Sequence, residues 1–168
     1  MPTLIIARHA KAESPADYGN DMDRPLELIG RQASTKLGQE LAAAGYAPTV
    51  AFVSPSLRTQ QTWKLMANAF GEVDTRVVDD LYETDVEGLL DVARTAGDAD
   101  VVVMVGHEPT SSRTTAYLAG DGSETAALKN IALGLNTGCA AILEYDGAWA
   151  ELGSGSARLV KVISGRDV

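Results

Sequence analysis

The chain has 168 residues, a net charge of −9 and an ordinary hydrophobic fraction of 45%. That balance excludes a general affinity for nucleic acid or for an anionic membrane surface, so any anion site must be local. One cysteine and two histidines exclude an internal disulfide framework and disfavour a metal centre, and no cofactor is expected.

The length fits a single domain spanning residues 1–168. The N-terminal apolar segment is too short for a signal-peptide core and no run approaches a membrane span, which points to the cytoplasm. Nothing demands an oligomer, and a monomer is expected. Leu4–Ala7 is a continuous apolar run of strand character that stops abruptly at Arg8-His9. Ala12–Asp23, with Pro15, Gly19 and three aspartates, reads as an exposed, mobile loop. Arg24-Pro25 leads into a helix with an apolar stripe of Leu26, Ile29, Ala33, Leu37, Leu41 and Ala44, capped by Gly45 and stopped by Pro48.

Val50–Val53 is a short buried strand. Ser54-Pro55 then predicts a helix start, with serine as N-cap and proline at the first helical position, and the helix runs to about Phe70. Arg58 falls in its first turn. Arg76–Val78 is a candidate short strand. Leu81-Tyr82-Glu83 is a loop element, after which Thr84 or Asp85 caps a helix that buries Val86, Leu89, Leu90 and Ala93 and closes at Gly97. Val101–Val105 is the most apolar strand. It ends at Gly106-His107-Glu108-Pro109, and another helix follows to about Leu118. Gly120–Glu124 is a loop, and Ala126–Leu135 reads equally as a short helix or as irregular structure. Cys139–Tyr145, Asp146-Gly147 and Ala148–Leu152 read as an antiparallel hairpin, and Leu159–Ile163 as an edge strand. Strands alternating with helices predict an α/β fold, a three-layer α/β/α sandwich around a mostly parallel sheet.

Four cationic or potentially cationic groups fall at strand ends or in a first helical turn: Arg8, His9, Arg58 and His107. Ligands of open α/β sheets sit in the crevice beyond the strand ends, so these groups are candidates to converge on one anion. Helix N-termini near Ser54 and Glu108 would add partial positive charge, provided Glu108 turns away or is neutralised. Arginine supplies the planar, bidentate donors a phosphoryl group needs. A neutral histidine nitrogen can attack phosphorus and split hydrolysis into two steps.

Arg8-His9-Ala10, Ser54-Pro55-Ser56-Leu57-Arg58-Thr59-Gln60-Gln61-Thr62 and Gly106-His107-Glu108-Pro109 resemble the three signature segments of the histidine phosphatase (phosphoglycerate mutase-like) superfamily, in order and spacing. The short length, Arg24-Pro25-Leu26 and the lack of a large insertion are similar to its compact, SixA-like phosphohistidine phosphatase branch. The resemblance implies that His9 is the nucleophile and that Arg8, Arg58 and His107 bind the phosphoryl group. It implies that Arg24 lines the pocket, against the alternative of a surface pair with Asp21 or Asp23. Two features depart from the pattern. The family usually has glycine where Ala10 stands, which implies slightly tighter backbone geometry. Larger members use a glutamate in a Leu-x-Glu segment as proton donor; Glu83 occupies that place, whereas compact members often lack such a donor.

The expected function is therefore metal-independent phosphoryl hydrolysis through a covalent phosphohistidine at His9. Its substrate would be a phosphohistidine-bearing protein. The alternatives are a small phosphomonoester such as a sugar or nucleotide phosphate, and a module that binds phosphate without turnover. A mutase is disfavoured, because little extra structure exists to close over an intermediate. Lys11 reads as a solvated rim charge, Trp63 and Met66 as core, Trp149 as a hairpin packing residue, and Cys139 as a buried inert thiol.

Overall fold

The computed structural model describes residues 2–166. Among them, six strands form one sheet: β1 (Thr3–Arg8), β2 (Val50–Val53), β3 (Asp74–Val77), β4 (Val101–Gly106), β5 (Cys139–Tyr145) and β6 (Ala157–Ser164). Their order is β3-β2-β4-β1-β5-β6. The first four in that order are parallel; β5 runs antiparallel to β1, and β6 antiparallel to β5. Helices α1 (Leu28–Ala43) and α2 (Leu57–Ala67) cover one face, and α3 (Val86–Ala93), α4 (Thr110–Leu118) and α5 (Thr125–Ala132) the other. The chain thus has the expected three-layer α/β/α architecture. No helix among the described residues is long and apolar enough to cross a membrane.

The continuous apolar strands follow from this double covering. Side chains alternate across a strand, so both sets must be apolar when helices lie on both faces. Along β1, Leu4 and Ile6 join the cluster that includes Leu89, Leu90, Leu118 and Ile131, whereas Ile5 and Ala7 join Leu37, Leu41, Trp63 and Met66. Burial of each such leucine or isoleucine contributes about 1.5–3 kcal/mol.

Three expected elements differ in detail. Helix α1 begins at Leu28, after Leu26 has paired with Ala12 in a short antiparallel bridge. Leu26 is therefore buried outside the helix, and Ile29 is 61% exposed. The buried face is instead Gly30, Ala33, Ser34, Leu37, Gly38 and Leu41, in which glycine and serine hold positions that a count of apolar residues overlooks. Helix α2 is capped by Ser56, whose side chain accepts from Thr59 N, and not by Ser54. The amide of Ser54 still belongs to the sheet and donates to Val105 O at 3.1 Å, so the chain turns into the helix two residues later. The hairpin return is also absent. Trp149–Glu151 forms a single 3₁₀ turn, and β5 pairs with β6. The turn is held because Trp149 is buried and its Nε1 donates to Ala99 O at 2.7 Å. Trp149 is a packing residue, though not in a hairpin.

The segment after β1 lies directly on α1. A Cβ at Gly30 would stand 2.1 Å from Lys11 O, and Glu27 N donates to that same carbonyl at 2.9 Å. Gly30→Ala is predicted to cost about 1–3 kcal/mol by overpacking. Gly19→Ala, where a Cβ meets nothing within 4 Å, should change stability by less than about 0.5 kcal/mol. Urea unfolding of both variants checks the contrast.

Candidate active site

Parallel pairing sets the site. Arg8 is in register with Gly106, so the next residues, His9 and His107, emerge side by side at the carboxyl ends of neighbouring strands. Their ring centroids are 5.5 Å apart. On the far side of β4, β2 leads through Ser54 into α2, and Arg58 in the first turn reaches back to the same place. Its Nη2 lies 3.3 Å from His107 Nδ1. Arg8 is anchored by Nη1 donating to Leu135 O at 3.1 Å. All four expected residues thus converge. Arg58 and His9 are only 6% and 8% exposed.

The hydrogen bonds fix the tautomer of each ring. Ala10 O, an acceptor only, lies 2.7 Å from His9 Nδ1, so Nδ1 carries the proton and Nε2 keeps its lone pair. Arg58 can only donate, so His107 Nδ1 accepts and its Nε2–H donates to Ser54 Oγ at 2.8 Å. Burial, reinforced by nearby His107, Arg58 and Arg8, pushes the pKa of His9 down to about 3 against the opposing hydrogen bond to Ala10. Burial and the Arg58 charge push His107 down to about 4. Both imidazoles are therefore neutral near pH 7. Burial also lowers the pKa of Arg8 from its usual value. Nε of Arg8 and Nε of Arg58 are buried donors without a hydrogen-bond partner among the described residues.

The rest of the second signature segment does structural work. Thr62 Oγ1 accepts from Ala10 N at 3.0 Å and donates to Arg58 O at 2.7 Å, tying the segment after β1 to α2. Gln61 Oε1 accepts from Leu26 N at 2.8 Å. The methyl of Ala10 is fully buried against Leu26 and Ala33, so the departure from glycine is accommodated. Glu108 folds back onto α4. It accepts from Ser112 N and Ser112 Oγ, each at 2.7 Å, and from Leu135 N at 2.9 Å. One amide of each helix start, Thr59 N in α2 and Ser112 N in α4, is thus engaged by an internal cap.

Arg24 is paired, with Nε on Asp21 Oδ1 at 2.8 Å and Nη1 on Glu13 O at 2.9 Å, and its charge is among those that lower the pKa of His107. The alternative expected for it, a pair with Asp21, is formed, and Asp21 in turn contacts Arg58. Glu83 is exposed on the wall of a cleft of about 150 Å³ that also includes Tyr82, Gly106 and His107. Asp21 and Tyr82 went unnoticed as site residues in the sequence. Asp21 Oδ2 accepts from Arg58 Nη2 at 3.0 Å and from the Tyr82 hydroxyl at 2.5 Å, and the Tyr82 ring stands edge-on to His107 at 5.7 Å. The presence of three aspartates in a polar loop gave no sign of which one folds inward.

Depressed histidine pKa values carry a stability signature. The unfolded chain binds protons near pH 6.5 that the folded site refuses, so stability is full above that pH and falls as pH drops toward the folded values. Between pH 6.5 and about 5, before most carboxylates titrate, wild-type melting temperature should fall, and His9→Gln should flatten that slope. Thermal melts across that range measure it.

Comparison with known proteins agrees with this geometry. The sequence profile of the histidine phosphatase superfamily (branch 1) matches residues 4–91, which include Arg8, His9 and Arg58. An uncharacterised protein of Mycobacterium tuberculosis is 31% identical over 155 residues, covering 91% of this chain and 96% of its own. A structure assigned as phosphohistidine phosphatase SixA from Nakamurella multipartitia is 32% identical, with a TM-score of 0.85 over 96% of this chain and 95% of that one. Another so assigned, from Agrobacterium tumefaciens, is 26% identical, with a TM-score of 0.81 over 97% and 98%. With two imidazoles and two guanidiniums gathered at the ends of β1 and β4 and at the start of α2, the chain belongs to the histidine phosphatase superfamily, in its SixA-like branch, and is a phosphatase of that type.

Proposed function

We propose that the protein hydrolyses phosphohistidine on a partner protein, through a phosphoryl group carried transiently on His9. The observation that carries the mechanism is the tautomer of His9: Nδ1–H is committed to Ala10 O, and a neutral Nε2 lies among Arg8, Arg58 and His107. In the first step the Nε2 lone pair bonds to phosphorus while the bond from phosphorus to the substrate nitrogen breaks, and that nitrogen takes a proton from solvent water as it leaves. In the second, water attacks phosphorus and the bond to Nε2 breaks; one proton of that water returns to solvent, the other stays on the departing phosphate, and the lone pair is restored to His9. The open Nε donors of Arg8 and Arg58 meet the equatorial oxygens, where charge must be held. His107 Nδ1 accepts from Arg58 Nη2 and so helps hold that guanidinium beside the phosphoryl group.

The exposed position of Glu83 favours a labile leaving group. Phosphohistidine makes little demand on an acid, and Glu83 makes no hydrogen bond to another described residue. A second reading rests on the same residue. Its place on the wall of the His107 cleft suits a proton donor to the alkoxide of a small phosphomonoester.

Turnover of a phosphohistidine-bearing protein and of a sugar phosphate, with chelator present, tests these readings. His9→Ala should lose about three orders of magnitude or more on any substrate, and wild type should carry an acid-labile phosphoryl label on His9. Undiminished turnover by the variant would remove His9 as nucleophile. Glu83→Gln should leave phosphohistidine hydrolysis within about threefold. A loss of about a hundredfold on a sugar phosphate that wild type prefers would favour the second reading.

A further inference from the structure

Asp21 grips Arg58 through both terminal nitrogens. Nη1 donates to the backbone oxygen of Asp21 at 2.9 Å and Nη2 to its carboxylate at 3.0 Å. The carboxylate is in turn fixed from two other directions, by the Tyr82 hydroxyl on Oδ2 and by Arg24 Nε on Oδ1. These partners come from the loop, from α2 and from the segment before α3, so three parts of the chain close on one carboxylate. The hydrogen bond from Tyr82, with those from Arg58 and Arg24, holds the pKa of Asp21 down to about 2, and it stays ionised at working pH.

The guanidinium of Arg58 has five N–H donors in a rigid plane. With both terminal nitrogens bound by Asp21 and one of them also facing His107, its rotation is locked, and the buried donor left open is Nε. We infer that Asp21, clamped by Tyr82 and Arg24, is a positioning residue that sets the orientation in which Arg58 meets the phosphoryl group. The inference rests on the phosphoryl site proposed above and deepens it. It gives Arg24 an indirect role through Asp21. It also explains why a carboxylate sits beside an anion site: its contact with the guanidinium leaves a different donor for the ligand.

A carboxylate that orients without touching substrate has a separable signature. Asp21→Asn removes a negative charge near the site, which favours ground-state binding of any oxyanion, while it loosens the donor needed in the transition state. Relative to wild type, kcat on the phosphohistidine protein should fall about ten- to a hundredfold, while the Kd for inorganic phosphate, by titration calorimetry, stays equal or tightens. Tyr82→Phe should reproduce a smaller fall in kcat, again without weakening phosphate. In nitrogen-15 spectra of the ligand-free protein, the Arg58 Nε–H resonance should be resolved in wild type and broadened or averaged in Asp21→Asn. That spectral arm stands even where wild type turns over neither substrate, an outcome that sinks the proposed reaction and leaves the orientation claim to be judged by resonance and phosphate affinity. Unchanged kcat, or an Arg58 signal identical in both proteins, overturns the inference. A weakened phosphate Kd with a lowered melting temperature overturns it too, since that marks a merely structural residue.

Discussion

The register between β1 and β4 is the constraint on which the site depends. Arg8 stands opposite Gly106, and His9 N donates to Gly106 O at 3.1 Å, which aligns the two strand ends. A parallel ladder slipped by one residue would turn His9 and His107 to different faces. The slip is prevented by the double-sided core, because it would move Leu4 and Ile6 from the α3–α5 layer into the space of α1 and α2. Ordinary apolar packing therefore holds two imidazoles 5.5 Å apart.

What the sheet aligns, burial then tunes. The imidazoles and guanidiniums crowd together where His9 and Arg58 are buried, and the least costly state there keeps both rings neutral. A neutral His9 ring with a committed Nδ1–H keeps a free lone pair on Nε2, which is the state the proposed mechanism uses. Carboxylates enter this pocket only under restraint. Glu108 is turned onto its own helix, and Asp21 is bound to Arg58, Arg24 and Tyr82. The local positive potential thus survives within a chain of net charge −9.

Much of this was legible beforehand where the signal was periodic or contiguous. The apolar runs of β1, β2 and β4 marked buried parallel strands, and the residues following them marked the candidate site, where the structure brings them together. Gly45 and Gly97, at φ +88° and +68°, end helices as expected. Where the pattern misled, a competing interaction had taken a group. The β-ladder claimed Ser54 N–H, which moved the cap to Ser56. A bridge to Ala12 claimed Leu26, which shifted the phase of α1 and left Ile29 exposed. The indole of Trp149 found Ala99 O, and the hairpin did not form.

The sequence by itself determined the layered architecture and the four residues that meet at the strand ends, because burial on both faces and strand termini leave marks in neighbouring residues. Only the tertiary structure decided how those four are held. Asp21 lies 37 residues from Arg58 and 61 from Tyr82, in a loop without period or motif, and its hydrogen bonds exist only once the sheet has brought the segments together. A hydrogen bond acts over about 3 Å and depends on angle, so no local pattern encodes a partner that distant along the chain.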